Sequence, residues 1–154
     1  MDSPPLHVVL LEPEIPENTG SIGRTCVALG AKLWLVRPLG FRLEDRRLRR
    51  SGMDYWQHLD WEAVEDWNRL EQRLSGRRFW FFSKTATQDY TGVAYEAGDV
   101  LVFGSESRGL PASLLQRHAE RLLRIPMRPA ARSLNLSTAV AVAAYEALRQ
   151  SGGA

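Results

Sequence analysis

Val100-Leu101-Val102-Phe103-Gly104-Ser105-Glu106-Ser107-Arg108-Gly109-Leu110-Pro111 is a short apolar run that passes straight into a loop bounded by two glycines. Pro111 then opens a short helix through Leu115, since proline fits the first helical position. Strand, glycine loop and helix form the repeating unit of an open α/β sheet, whose ligands gather outside the carboxyl ends of the strands. The loop is not the G-x-S-x-G elbow of an esterase, because it reads G-x-x-S-x-G and is one residue too long.

The same alternation extends outward in both directions. Leu6–Leu11, Lys32–Val36, Phe79–Phe82 and Leu122–Ile125 read as further buried strands. Asn18 or Thr19 can cap a helix that runs to Gly30. The stretch from Arg37 to Trp56 reads as a basic loop with one helical turn around Asp45–Arg50. Trp61, Val64, Trp67, Leu70 and Leu74 recur at helical spacing and predict an amphipathic helix over 61–74. A last helix is expected from Asn135 to Arg149. Its Ala139–Ala144 segment is apolar nearly all round, so it must be covered on more than one side, by the protein itself or by a second subunit. The expected class is α/β, a mainly parallel sheet flanked by helices.

With 154 residues, 44% hydrophobic and 25% charged, the chain has the size of one domain (1–154) and a globular composition. It holds no apolar run of about 18 residues, so no membrane span is expected. Met1–Pro5 lacks a basic region ahead of an apolar one, so no secretory signal is expected either. A single cysteine, Cys26, suits a reducing, cytoplasmic setting. The net charge of +2 conceals a pattern. Arg37–Arg50 carries +4, residues 54–71 carry −5, and Arg117–Arg132 carries +4. Two concentrated arginine stretches suggest phosphate contacts, although charge runs are also common as solvated faces.

Common catalytic motifs are missing. There is no P-loop, and Gly20-Ser21-Ile22-Gly23 is not a dinucleotide fingerprint. His7, His58 and His118 are dispersed and Cys26 is alone, so no zinc spacing exists and no metal is expected. His7 reads as a packed or partnered strand residue, and Cys26 as core. What remains are the loops after Phe82, Phe103 and Ile125, which would meet at one end of a parallel sheet. The third, Pro126–Ser137, brings arginines, hydroxyls and an amide to a helix start. Either Ser133 or Asn135 could merely cap that helix, but a cap requires only one of them.

Three stretches resemble, in order, the motifs of the SPOUT RNA 2′-O-methyltransferases. They are Pro16-Glu17-Asn18-Thr19-Gly20-Ser21-Ile22-Gly23-Arg24-Thr25, Phe103–Pro111, and Ile125-Pro126-Met127 with Ser133-Leu134-Asn135-Leu136-Ser137. Leu11–Pro16, Arg46–Tyr55 and the short length look like the minimal TrmL-like branch, which methylates the ribose of the wobble nucleotide of transfer RNA. The resemblance implies an α/β domain with a C-terminal trefoil knot over about residues 78–150. It also implies S-adenosylmethionine as methyl donor, S-adenosylhomocysteine as product, and a homodimer through the last helix with Tyr145 in the interface.

By motif position, cofactor contacts fall to Phe81, Gly104, Ile125, Ser133 and Leu134. Catalytic work falls to Arg24, supported by Asn18, Glu106, Ser133 and Asn135. Arg24 could act as a base or as a clamp on phosphate. Glu106 could hold the site or pair with Arg108. Arg46, Arg47, Arg49, Arg50 and Arg132 would bind the anticodon stem-loop. Ser105 stands where the family usually has proline. Methylation at another transfer or ribosomal RNA position, and a non-catalytic RNA-binding module of the same fold, are the alternatives.

Overall fold

In the computed structural model, which describes residues 3–152 apart from the side chains of residues 49 and 51–54, six strands form one sheet. These are β1 (Leu6–Leu11), β2 (Lys32–Val36), β3 (Trp61–Val64), β4 (Phe79–Phe82), β5 (Asp99–Phe103) and β6 (Leu122–Leu123). Their order is β3-β2-β1-β5-β4-β6, and every pairing is parallel. β1 is buried along all six residues, as a strand covered on both faces must be.

Side-chain alternation divides the core. Leu6, Val8 and Leu10 pack with Ile22, Cys26, Val140 and Ala143, whereas Val9 and Leu11 pack with Trp34, Leu70, Phe81 and Leu114. The first layer is covered by α1 (Pro16–Leu29), α2 (Arg46–Trp56) and α5 (Leu136–Gln150). The second lies under α3 (Trp67–Arg73) and α4 (Ala112–Arg117). His7 points into that second layer, where its Nδ1 accepts a hydrogen bond from Trp34 Nε1 at 3.0 Å. Burial pushes its pKa down to about 4, so the ring is neutral at physiological pH. Burial likewise pushes the Cys26 thiol up to about 12, as suits a core residue rather than a nucleophile.

Three expected boundaries moved, each for an identifiable reason. α1 starts at Pro16 rather than at an Asn18 or Thr19 cap, with Pro16 at the first turn and Glu17 beside the positive end of the helix. It closes at Gly30, φ +72, with Ala31 N–H returning to the Cys26 carbonyl at 2.9 Å. The Arg37–Trp56 stretch holds a three-turn helix, α2, because Asp45 caps it through Arg47 N–H at 2.8 Å and Leu48 is fully buried. The expected helix over 61–74 splits in two. Residues 61–64 extend the sheet as an edge strand on β2, and only after the Asp66 cap does α3 begin. Spacings of three and four through a strand and a helix had mimicked one long periodicity.

Candidate functional site

The loops that leave β1, β4, β5 and β6 meet at the carboxyl end of the sheet around a cleft of about 540 Å³. That is the size of a pocket for a nucleoside-sized ligand. Its floor includes the rings of Phe82 and Phe103, stacked 4.6 Å apart at 13°. One wall is the Gly104–Leu110 loop, and the opposite wall is Ile125, Met127 and the run from Ser133 to Leu136.

The glycine loop is a closed turn. Gly109 N–H donates to the Ser105 carbonyl at 2.9 Å, and Gly109 takes φ +66, a region glycine enters without strain. Ser105 is buried, and its hydroxyl accepts from Arg108 N–H at 3.3 Å. Serine at the usual proline position thus caps the turn from inside.

Two carboxylates latch this loop to the segment between β1 and α1. Glu106 accepts from Glu14 N–H at 2.8 Å, Ile15 N–H at 3.0 Å and Asn18 Nδ2 at 3.1 Å. In return, Glu14 accepts from the backbone N–H and hydroxyl of Ser107 at 2.8 and 2.7 Å. The Ser107 hydroxyl, followed by its N–H, holds the Glu14 carboxyl below the usual carboxylate range. Glu106 is therefore a loop clamp and not a partner of Arg108, whose guanidinium lies 3.5 Å from Glu12.

The latch continues across the cleft. Asn18 Oδ1 accepts from Asn135 Nδ2 at 3.2 Å, while Asn135 Oδ1 caps α5 through Ser137 N–H at 3.0 Å and Thr138 N–H at 3.3 Å. Asn135 thus does more than cap. The series Glu106–Asn18–Asn135 joins the loop after β5, the first turn of α1 and the start of α5 across the cleft. Just ahead of it, Ser133 N–H reaches the Ala131 carbonyl at 2.7 Å around Arg132, φ +64 and ψ −51. This is a γ-turn of the rare, strained kind.

The structure brings Asn18, Gly104, Glu106, Ile125, Ser133, Leu134 and Asn135 to this cleft. Phe81 is elsewhere: its ring is fully buried on the opposite face of the sheet, stacked on His118 at 4.3 Å. Alternation along β4 places the Phe82 ring on the cleft side with Phe103. Arg24 does not line the cleft either. It lies six residues beyond Asn18, roughly 9 Å along the helix. Its exposed guanidinium sits 4.7 Å above the Tyr55 ring, with Nη2 donating to the phenol oxygen at 3.4 Å.

Arg46 and Arg50 are exposed on α2, and Arg47 is bound to its capping residue, Asp45, at 3.1 Å. The side chain of Arg49 is outside the described residues. Tyr145 is 53% exposed on α5. Glu14, Ser107 and Tyr55 lie within the motif stretches but were given no role there, since their partners are distant in sequence. Among the described residues, no group of three or more His, Cys, Asp and Glu side chains could hold a metal, and no helix is long and apolar enough to cross a membrane.

A profile described as the SpoU rRNA Methylase family matches residues 5–145. The tRNA (cytidine(34)-2′-O)-methyltransferase of Methylovorus glucosotrophus is 44% identical over 144 residues, 93% of this chain and 94% of that protein. A solved structure described as "Structural insights into the 2-OH methylation of C/U34 on tRNA" superposes with a TM-score of 0.91 at 46% identity, covering 94% of this chain and 95% of that one. The SpoU methyltransferase AviRb of Streptomyces viridochromogenes, solved in complex with the cofactor AdoMet, gives a TM-score of 0.84 at 25% identity, covering 97% of this chain and 59% of that one.

Proposed function

The chain belongs to the SpoU rRNA methylase family, and on that premise we propose that it transfers the methyl group of S-adenosylmethionine to the 2′-hydroxyl of the first anticodon nucleotide of transfer RNA. The observation that carries this reading is the cleft closed by Glu106, Asn18 and Asn135, built from the three motif segments, in a chain 44% identical to a cytidine-34 methyltransferase along nearly its whole length.

The residues present fit the cofactor. Phe82 and Phe103 offer apolar ring surface to an adenine, and the backbone of Gly104–Leu110 and Ile125 offers close hydrogen-bonding groups. Ser133 and Leu134 would complete the enclosure. When bound, S-adenosylmethionine supplies a methyl group on a sulfonium, ready for displacement by oxygen, with S-adenosylhomocysteine as the product. The protein's task is to align the ribose and assist loss of its proton. The latched loops hold the donor side rigid, and Arg24 meets the RNA as a clamp.

Incubation with methyl-labelled cofactor and bulk transfer RNA should place the label on the ribose of nucleotide 34. Label confined to another nucleotide would shift the specificity, and RNA binding without transfer would reduce the protein to a binding module.

The RNA surface in this reading is α2, with Arg46, Arg47, Arg49 and Arg50, together with the exposed Arg132 next to Ser133. Replacing Arg46 and Arg50 with alanine should lower the salt slope of RNA binding by about one unit for each phosphate that is no longer neutralised. An unchanged slope would make α2 a merely solvated face.

The active species in this reading is a homodimer of single 1–154 domains in the cytoplasm. Support comes from α5, where Val142 and Tyr145 are 37% and 53% exposed and Ile15 at the cleft rim is 43% exposed. Sedimentation should give about twice the mass of one 17.4 kDa chain, and Tyr145→Glu should give a monomer. A C-terminal knot belongs to the same proposal. It is supported by residues 125–136 sharing the cleft with the loops after β4 and β5 before α5 turns back onto α1 and β1. Continuous chain tracing in a crystal structure of the cofactor complex tests it.

A further inference from the structure

Tyr55 lies outside the three motifs and does not line the cleft, yet it makes two contacts with Arg24. The guanidinium carbon is 4.7 Å from the ring centroid, and Nη2 donates to the phenol oxygen at 3.4 Å. A ring face confines a cation to a plane above it, and the hydroxyl selects one direction within that plane. Either contact alone is weak at an exposed position. Together they restrict a side chain that otherwise samples many rotamers.

The backbone is shaped to allow this. At Gly23, immediately before Arg24, a Cβ would stand 3.2 Å from the Trp56 ring at the end of α2 and 3.1 Å from Leu59 Cδ2 just beyond it, so the glycine leaves room for both. Trp56 is in turn held against Trp61, with centroids 5.3 Å apart. The residue next to it, Tyr55, is thereby delivered to Arg24 while remaining 36% exposed itself. An exposed aromatic ring that meets a cation is placed for something other than core packing.

We infer that Tyr55 is the positioning residue for Arg24. Its ring and hydroxyl hold the guanidinium at the junction of α1 with the arginine-bearing helix α2, so that RNA seated on α2 meets an arginine already oriented. This rests on the role given above to Arg24 in methyl transfer, and it adds the residue that sets the geometry of that arginine.

Three variants test it, measured under saturating cofactor with transfer RNA as substrate. Tyr55→Leu, which removes ring and hydroxyl, should lower kcat about tenfold or more, and Tyr55→Phe, which keeps the ring, about two- to threefold. KM for RNA and affinity for cofactor should stay within about twofold of wild type. In a Tyr55→Leu/Arg24→Ala double variant the losses should not multiply, because a positioning residue has nothing left to position.

A neutral Tyr55→Leu beside a dead Arg24→Ala would overturn this inference alone. Multiplying losses would also overturn it, since Tyr55 would then act elsewhere. A fully active Arg24→Ala would overturn the role of the arginine and this inference with it. Thermal unfolding of Tyr55→Leu and of the double variant at the wild-type temperature separates these outcomes from misfolding.

Discussion

Gly104→Ala is expected to abolish measurable cofactor binding. A Cβ at this position would stand 2.1 Å from the Gly109 carbonyl carbon, 2.3 Å from Leu110 N and 2.5 Å from the Gly109 carbonyl oxygen. All three are backbone atoms, so no side chain can swing aside, and the turn itself must open. Opening it breaks the Gly109–Ser105 bond and displaces Glu106 and Ser107, which between them carry both halves of the latch to the Glu14 segment. Calorimetry should show S-adenosylmethionine affinity reduced by at least about 100-fold, or some 2.7 kcal/mol. The far-ultraviolet circular dichroism should persist, because β5 ends before the change.

Gly109→Ala supplies the contrast. No atom lies within 4 Å of a Cβ there, so only the strain of φ +66 remains, about 1 kcal/mol, and binding should weaken far less. Equal effects from the two substitutions, or a Gly104→Ala protein binding cofactor within about threefold of wild type, would mean that the loop does not enclose it.

The separation between these two glycines was partly legible in the sequence, and its limits show what kind of information a sequence holds. A glycine directly after a buried strand announced a close approach, and the expected parallel pairing placed three loops at one end of the sheet. Which backbone atom approaches Gly104 is a matter of turn closure, which no residue pattern reports. Asn135 was readable as a cap because capping is local; its second bond, to Asn18, spans 117 positions and was invisible.

The Phe81 ring faces away from the cleft, and strand parity puts the Phe82 ring there. The helix expected over 61–74 failed for a different reason. Trp61 and Val64 suit either a helix face or an edge strand, and pairing with β2 decided between them. Glu14 and Ser107 sit inside motif stretches, yet their pairing spans 93 positions and nothing local announces it. Function came from the resemblance of three ordered motifs, which reports what scaffold details do not.

Arg24→Ala is expected to reduce kcat by about 100- to 1,000-fold while leaving cofactor affinity within about twofold. The second half follows from position: Arg24 stands six residues beyond Asn18 along α1 and does not line the cofactor cleft. What the arginine does is constrained by its contacts with Tyr55. A ring face attracts a cation, and a phenol oxygen accepts from a guanidinium N–H, so both are contacts that an ordinary cationic arginine makes. A base must first give up that charge, so the geometry supports a clamp on phosphate or on oxygen charge developing at the ribose.

Arg24→Lys separates the two roles. Lysine keeps a cation, loses the planar fork, and has an ordinary pKa near 10.4, about two units or more below that of arginine. As a base, it would gain activity about tenfold per pH unit from pH 8 towards pH 10, as more of it becomes neutral. As a clamp, it should keep a few per cent of wild-type activity, roughly constant with pH at first and falling as the ammonium is lost. The expected profile is the falling one. A rise with pH would return proton abstraction to position 24 and leave the Tyr55 contact as a restraint on the resting state.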